Sequence, residues 1–155
     1  NDTDYLRRLG EYHLHLGQTD KAKETWNRAV ATPAGDKYAE LAGWYEAHEF
    51  PEEALQSYQK ALELQPNREW SLRLAALHHS LGQEAPALEI WKGLAGAEAA
   101  AADRAEVANI LESYNLHKEA TALWEAAAAQ EPETLEYKLA LAQNLVKVER
   151  QEGAS

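Results

Sequence analysis

Six histidines and a surplus of carboxylates are the residues of this chain best equipped for chemistry. A histidine ligates a metal or relays a proton only when a second ligand or an orienting group is held beside it; on a helix that means a spacing of three or four. His13 and His15 are two apart and His78 and His79 are adjacent, so each pair is divided between helix faces. His48 and His117 lie beside turns, with no partner in helical register, and no H-E-x-x-H spacing exists. Glu52-Glu53, Glu131/Glu133 and Glu149/Glu152 read as helix-end and solubilising charges rather than an acid–base pair. No serine stands in a G-x-S-x-G elbow, and neither a phosphate-binding loop nor a dinucleotide fingerprint is present. The expectation is a chain with no catalytic residues, no metal and no cofactor: not an enzyme.

Charge narrows the partners. A formal net charge of −11 repels phosphate backbones and anionic lipid, so nucleic acid and membrane surfaces are poor candidates. Arg7-Arg8 and Lys21/Lys23 are isolated pairs among carboxylates, not a basic stripe. No apolar run reaches the roughly 20 residues needed to insert into a bilayer, so a soluble chain is expected. The absence of cysteine removes disulfides and thiolate sites but leaves the compartment open. The alanine-rich composition suggests a bacterial source, and then cytoplasm or periplasm. With no Met at residue 1, the sequence reads as a mature form or a piece of a longer protein.

The elements that must position any site emerge from self-similarity. Ala22, Ala54, Ala87 and Ala120 follow one another at steps of 32, 33 and 33 residues, each with an aromatic four places on: Trp26, Tyr58, Trp91, Trp124. Ala29, Ala61, Leu94 and Ala127 come three further on. Upstream, Leu9-Gly10, Leu41-Ala42, Leu74-Ala75 and Val107-Ala108 set a large apolar residue beside a small one, and His13, Tyr45, His78 and Leu111 follow three later. Gly17, Glu49, Gly82 and Asn115 mark turns, each five residues before the alanine of the second half. Each unit is therefore two amphipathic helices joined by a tight turn. The small residues let paired helices approach closely, and the aromatics fill the space between hairpins. Pro51 suits a first helical turn, whereas Pro66 and Pro132 fall where a second helix must stop.

This pattern resembles the tetratricopeptide repeat, whose usual length is about 34 residues. The second unit carries the signature most fully, with Tyr38, Leu41, Ala42, Tyr45, Ala54, Tyr58, Ala61 and Pro66. Leu6 replaces the family's preferred Trp, His13 and His78 its Tyr, and Leu94 an Ala. The resemblance implies an all-α, right-handed superhelical solenoid of antiparallel helix hairpins, about nine helices in a single array. The repeats span approximately 3–34, 35–67, 68–100 and 101–134, with a partial fifth over 135–155. In the last segment Leu141 and Leu145 repeat the core phase while Leu139 and Val146 point elsewhere. Ala154 lies 34 residues after Ala120, so the expectation is a chain cut inside a fifth repeat. Trp44 and Trp70 stand outside the periodic series, as packing residues or exposed anchors for a partner.

By that resemblance the first helix of each hairpin lines a concave groove that binds protein or peptide. The family geometry puts Arg7, Glu11 and Leu14 there from the first unit, then Ala39, Gly43 and Glu46, then Leu72, Ala76 and His79. Ala105, Asn109 and Glu112 follow, with Leu139 and Gln143 from the last helix. The family's carboxylate-gripping set of Lys, Asn and Arg is missing: only Arg7 is basic, and Glu11, Ala39, Gly43, Leu72 and Ala76 take the other places. A floor of small residues with acidic edges suits a helix or extended segment bearing apolar and some basic side chains. Self-association into a homo-oligomer, and service as an accessory domain of a larger enzyme, are the alternatives.

Overall fold

Proline and glycine set the punctuation that the helices obey. In the computed structural model, which describes residues 2–154, nine α-helices follow one another without a strand among the described residues. They are α1 (Asp2–His15), α2 (Thr19–Asn27, continued by a 3-10 turn over Arg28–Val30), α3 (Gly35–Ala47), α4 (Pro51–Leu64), α5 (Arg68–Ser80), α6 (Glu84–Leu94), α7 (Ala101–Ser113), α8 (His117–Gln130) and α9 (Leu135–Gly153). Pro51 opens α4 at its first position, and α4 and α8 end just before Pro66 and Pro132. At α5, Asn67 caps the helix by accepting the Trp70 N–H at 3.1 Å.

Four hairpin turns are built alike although their sequences differ. The N–H groups of Gln18, Phe50, Gln83 and Leu116 donate back to the carbonyls of His13, Tyr45, His78 and Leu111, all at 2.9 Å. The residue before each donor takes the left-handed conformation: Gly17 at φ 70°, Glu49 at 63°, Gly82 at 73° and Asn115 at 61°. Together with the bonds from Gly17 to Leu14 and from Gly82 to His79, also 2.9 Å but spanning fewer residues, this is the Schellman closure of a helix C-terminus. In two turns the replacement of Tyr by His has a local reason. The His13 ring nitrogen sits 3.0 Å from the Gln18 side-chain oxygen and that of His78 2.6 Å from Gln83, so imidazole and amide close the turn together.

The chain divides into two compact units, Asn1–Ala87 and Leu88–Ser155, with the boundary inside α6. In the first, α1 packs on α2, α3 on α4, and α4 on α5. Its core centres on Trp26, fully buried, whose indole N–H donates to the Arg7 carbonyl at 3.0 Å. The rings of Tyr45, His48 and Phe50 surround it at 5.6, 4.9 and 6.4 Å. A Cβ on Gly10 would lie 2.0 Å from that indole nitrogen, so only glycine admits the tryptophan here. Trp44 is buried and Trp70 half-buried, its ring within 3.1 Å of where a Gly35 Cβ would stand; both are packing residues. Tyr45 donates to Asn27 Oδ1 at 3.1 Å, and burial with the nearby Glu53 carboxylate pushes its phenol up to about 12.

In the second unit α7 packs on α8 and α8 on α9. Trp91 stacks on Tyr114 at 5.3 Å, and Trp124 is buried. The link between α6 and α7 is held by Arg104, whose guanidinium donates to the carbonyls of Gly96 at 3.1 Å and Ala97 at 2.9 Å and to Gln130 at 2.7 Å. The last helix departs from expectation. Leu145, read as a core residue, is 42% exposed, and the single buried residue of α9 is Asn144. Its amide donates to the His117 carbonyl at 2.8 Å and the Thr121 hydroxyl at 2.9 Å, while its oxygen faces the His117 ring nitrogen at 3.1 Å. A buried amide with every bond satisfied takes the place of a leucine because α8 offers polar partners at that level. No turn interrupts α9 before Gly153; it runs on past the position where the other first helices reverse.

Candidate partner-binding surface

In the first unit the expected groove residues share one character. Arg7, Glu11 and Leu14 on α1, Ala39, Gly43 and Glu46 on α3, and Leu72, Ala76 and His79 on α5 are all half-buried. On each helix they recur at steps of four and three, which aligns them in one stripe. Side chains link neighbouring stripes: Glu11 lies 3.9 Å from the His48 ring at the end of α3, and Glu46 lies 4.0 Å from Arg73 on α5. In the second unit, taken by itself, Glu112 is half-buried and Asn109 and Gln143 are exposed; Ala105 is buried, and Leu139 is exposed.

The carboxylates of this surface are occupied by the fold itself. Arg7 donates to Glu11 at 2.7 Å and to Asp4 at 2.8 Å, which lowers the Asp4 pKa and raises that of the guanidinium. Glu46 accepts the Tyr58 hydroxyl at 2.8 Å; burial first, and this carboxylate second, push the phenol well above its ordinary range. Glu112 accepts the Trp124 indole N–H at 2.7 Å and the Lys147 ammonium. Glu46–Tyr58 and Glu112–Trp124 are one device used twice: an acid on the first helix receives the ring donor of the second, twelve residues on. Read from sequence alone, these acids form the rim of a groove; in the structure their first task is to clamp the hairpin. The signal that could have found this is the constant separation between acid and ring donor.

What remains open is the small-residue floor. A Cβ added to Gly43 would meet no atom within 4 Å, in contrast to the crowded Gly10. Gly43 therefore leaves space that no other part of the described chain fills. Among the described residues no cluster of three or more His, Asp or Glu is arranged to hold a metal, and no helix is long and apolar enough to cross a membrane.

The chain is similar over nearly its whole length to solved structures. One match is a thermophilic TPR protein of Thermus thermophilus, 24% identical, covering 94% of this chain and 82% of that one, with a TM-score of 0.54. Another is a putative kinesin light chain of Podosopora anserina with nearly identical TPR-like repeats, 18% identical over 97% of this chain and 89% of that one, TM-score 0.58. The fold is the tetratricopeptide-repeat fold. YrrB, described as a TPR protein with an unusual peptide-binding site, is 18% identical over 97% of this chain and 80% of its own, TM-score 0.54. No family model and no curated protein matches the sequence.

Proposed function

We propose that the chain is a protein-interaction module that takes an apolar peptide or helix on the face shared by α1, α3 and α5. The observation that carries this reading is the unfilled space over Gly43, flanked by Ala39, Leu72 and Ala76 and by half-buried rather than buried neighbours. A glycine inside a helix costs about 0.5–1 kcal/mol relative to alanine, and no contact within the chain offsets that cost here. The fold's likeness to YrrB, a protein with a peptide-binding site, supports the same reading.

The occupant's charge follows from the pairing of the acids. With Glu11 and Glu46 engaged inside the chain, the floor itself selects apolar side chains. The net charge of −11 then acts at longer range, drawing segments with flanking Lys or Arg and repelling acidic ones. Peptides selected by display on the intact chain provide the test. Gly43→Trp fills open space without touching the core, so circular dichroism should stay unchanged while affinity for the selected peptides falls by about tenfold or more. Peptides that bind the Gly43→Trp, Ala76→Glu double variant as well as the parent would sink the assignment.

A further inference from the structure

At the turn end of α3 two hydrogen-bond acceptors face each other with no donor of the described residues between them. His48 caps the C-terminus of α3, and its Nδ1 stands 2.7 Å from the Trp44 carbonyl oxygen. A carbonyl can only accept, so Nδ1 carries the proton, and in the neutral imidazole Nε2 is left with a bare lone pair. That nitrogen lies 3.9 Å from Glu11 Oε1 on α1, too far for a direct hydrogen bond. The ring is held in this orientation by the Trp44 bond and by the buried Trp26 indole, whose ring centre is 4.9 Å away. Glu11 keeps capacity to spare. Arg7 gives it one bond at 2.7 Å and shares itself with Asp4, whereas an ionised carboxylate accepts about four. The His48 and Glu11 side chains are 26% and 29% exposed, so a ligand can reach both.

We infer that this gap is a subsite for a lysine ammonium carried by the peptide bound on the α1, α3 and α5 face. The inference rests on that face being the peptide site and assigns its occupant one required side chain. A single ammonium nitrogen about 2.8 Å from each acceptor spans the 3.9 Å and donates to both. A guanidinium presents its hydrogens as a flat fork matched to the two oxygens of one carboxylate; a nitrogen and an oxygen on separate helices fit it less well. The last turn of α3 adds the negative end of the helix dipole, which favours a cation at the C-cap. The net charge of −11 favours the same sign at longer range. Glu11 belongs to the half-buried stripe of α1 with Arg7 and Leu14. On α3, His48 lies five residues beyond Gly43, about 7.5 Å of helix rise, which a few residues of bound peptide span. The open floor supplies contact area, and the gap at its end fixes where along the peptide that contact falls.

A double-mutant cycle between the chain and peptides selected on it by display tests this. The selected peptides should carry a lysine whose replacement by norleucine, which keeps the carbon chain and removes the ammonium, weakens binding to the parent about tenfold. Replacement by arginine should weaken it as well. The norleucine change should cost less than about threefold in His48→Phe, which keeps a ring against Trp26, and in Glu11→Gln, which still accepts from Arg7. Circular dichroism checks that both variants fold, and since they lie on different helices, failure of one leaves the other to read. Equal losses in the parent and the variants overturn the inference, and so do peptides with no need of the lysine or with arginine equally good. A proton on Nε2, closing the gap to Glu11 without a ligand, would give the first of these results. Binding that Gly43→Trp abolishes, with no coupling at His48 or Glu11, removes the subsite and leaves the face. Binding that keeps the coupling but ignores Gly43→Trp removes the face instead.

Discussion

Trp26 and Gly10 show how far one residue's identity is dictated by another's. The indole lies against the α1 backbone and bonds to the Arg7 carbonyl, so the space of a methyl group at residue 10 is already taken. Gly10→Ala should therefore destabilise the chain by about 1–3 kcal/mol, despite alanine's better helix propensity, because a rigid fused ring cannot swing aside. Urea denaturation followed by tryptophan fluorescence would show the midpoint falling; an unchanged or higher midpoint contradicts the packing described. Tyr45 and Tyr58 make the same point through protonation. Both phenols have folded-state pKa values raised above the ordinary value near 10, Tyr45 to about 12. Their stabilising effect is complete below about pH 10, where both states hold the proton, and is lost as pH rises through the folded values. Stability should thus decline steeply above about pH 10, and less steeply in Tyr58→Phe. Thermal melts from mildly to strongly alkaline pH check this, and a flat profile would contradict it.

At the scale of the element, the turns were the most legible part of the sequence and the hydrogen bonds between helices the least. Gly17, Glu49, Gly82 and Asn115, marked as turns by position alone, are the four residues with positive φ among the described residues. A C-terminal closure depends on half a dozen consecutive residues, so its signal is local and the repeat shows it four times. The acids could not be read that way. Glu46, Glu112 and Asn144 find their partners on other helices; the separation of twelve that links each acid to a ring donor is seen in two hairpins, and nothing local encodes the partners of Asn144. The same limit misplaced Leu145: apolar spacing defines a stripe but not which of two stripes on α9 turns towards α8. The turns also yield a test. Glu49 holds φ 63° with a Cβ that disfavours that conformation. Glu49→Gly should raise stability by about 0.5–1 kcal/mol, the steric relief exceeding the added freedom of the unfolded chain. Equal or lower stability in chemical denaturation would count against this.

For the whole molecule, composition sets behaviour that no single contact controls. A charge of −11 on 155 residues repels itself in the folded state, while ion pairs such as Arg7–Asp4, Arg8–Asp4 and Lys118–Glu152 are exposed and individually weak. Added salt screens the long-range repulsion more than it weakens close pairs such as Lys147 with Glu112. The melting temperature should therefore rise between low and moderate sodium chloride, and a fall would show that the ion pairs outweigh the repulsion. The alanine and aromatic periods made the fold class legible over nearly the whole length. The partner was not, because the surface proposed to meet it is marked by space left open at Gly43, and an unoccupied volume has no residue of its own to read.

The uniform turns have a consequence for how such a chain can change. Each reversal is closed by main-chain bonds of the same length between residues at the same offsets, whether the side chains are His and Gln, Tyr and Phe, or Leu and Leu. The segment with geometrically interchangeable ends is therefore the one that runs from turn to turn, a second helix with the first helix that follows it. Duplication or exchange of such a segment within a gene preserves the turn at each end, and selection is left to work on the outward faces.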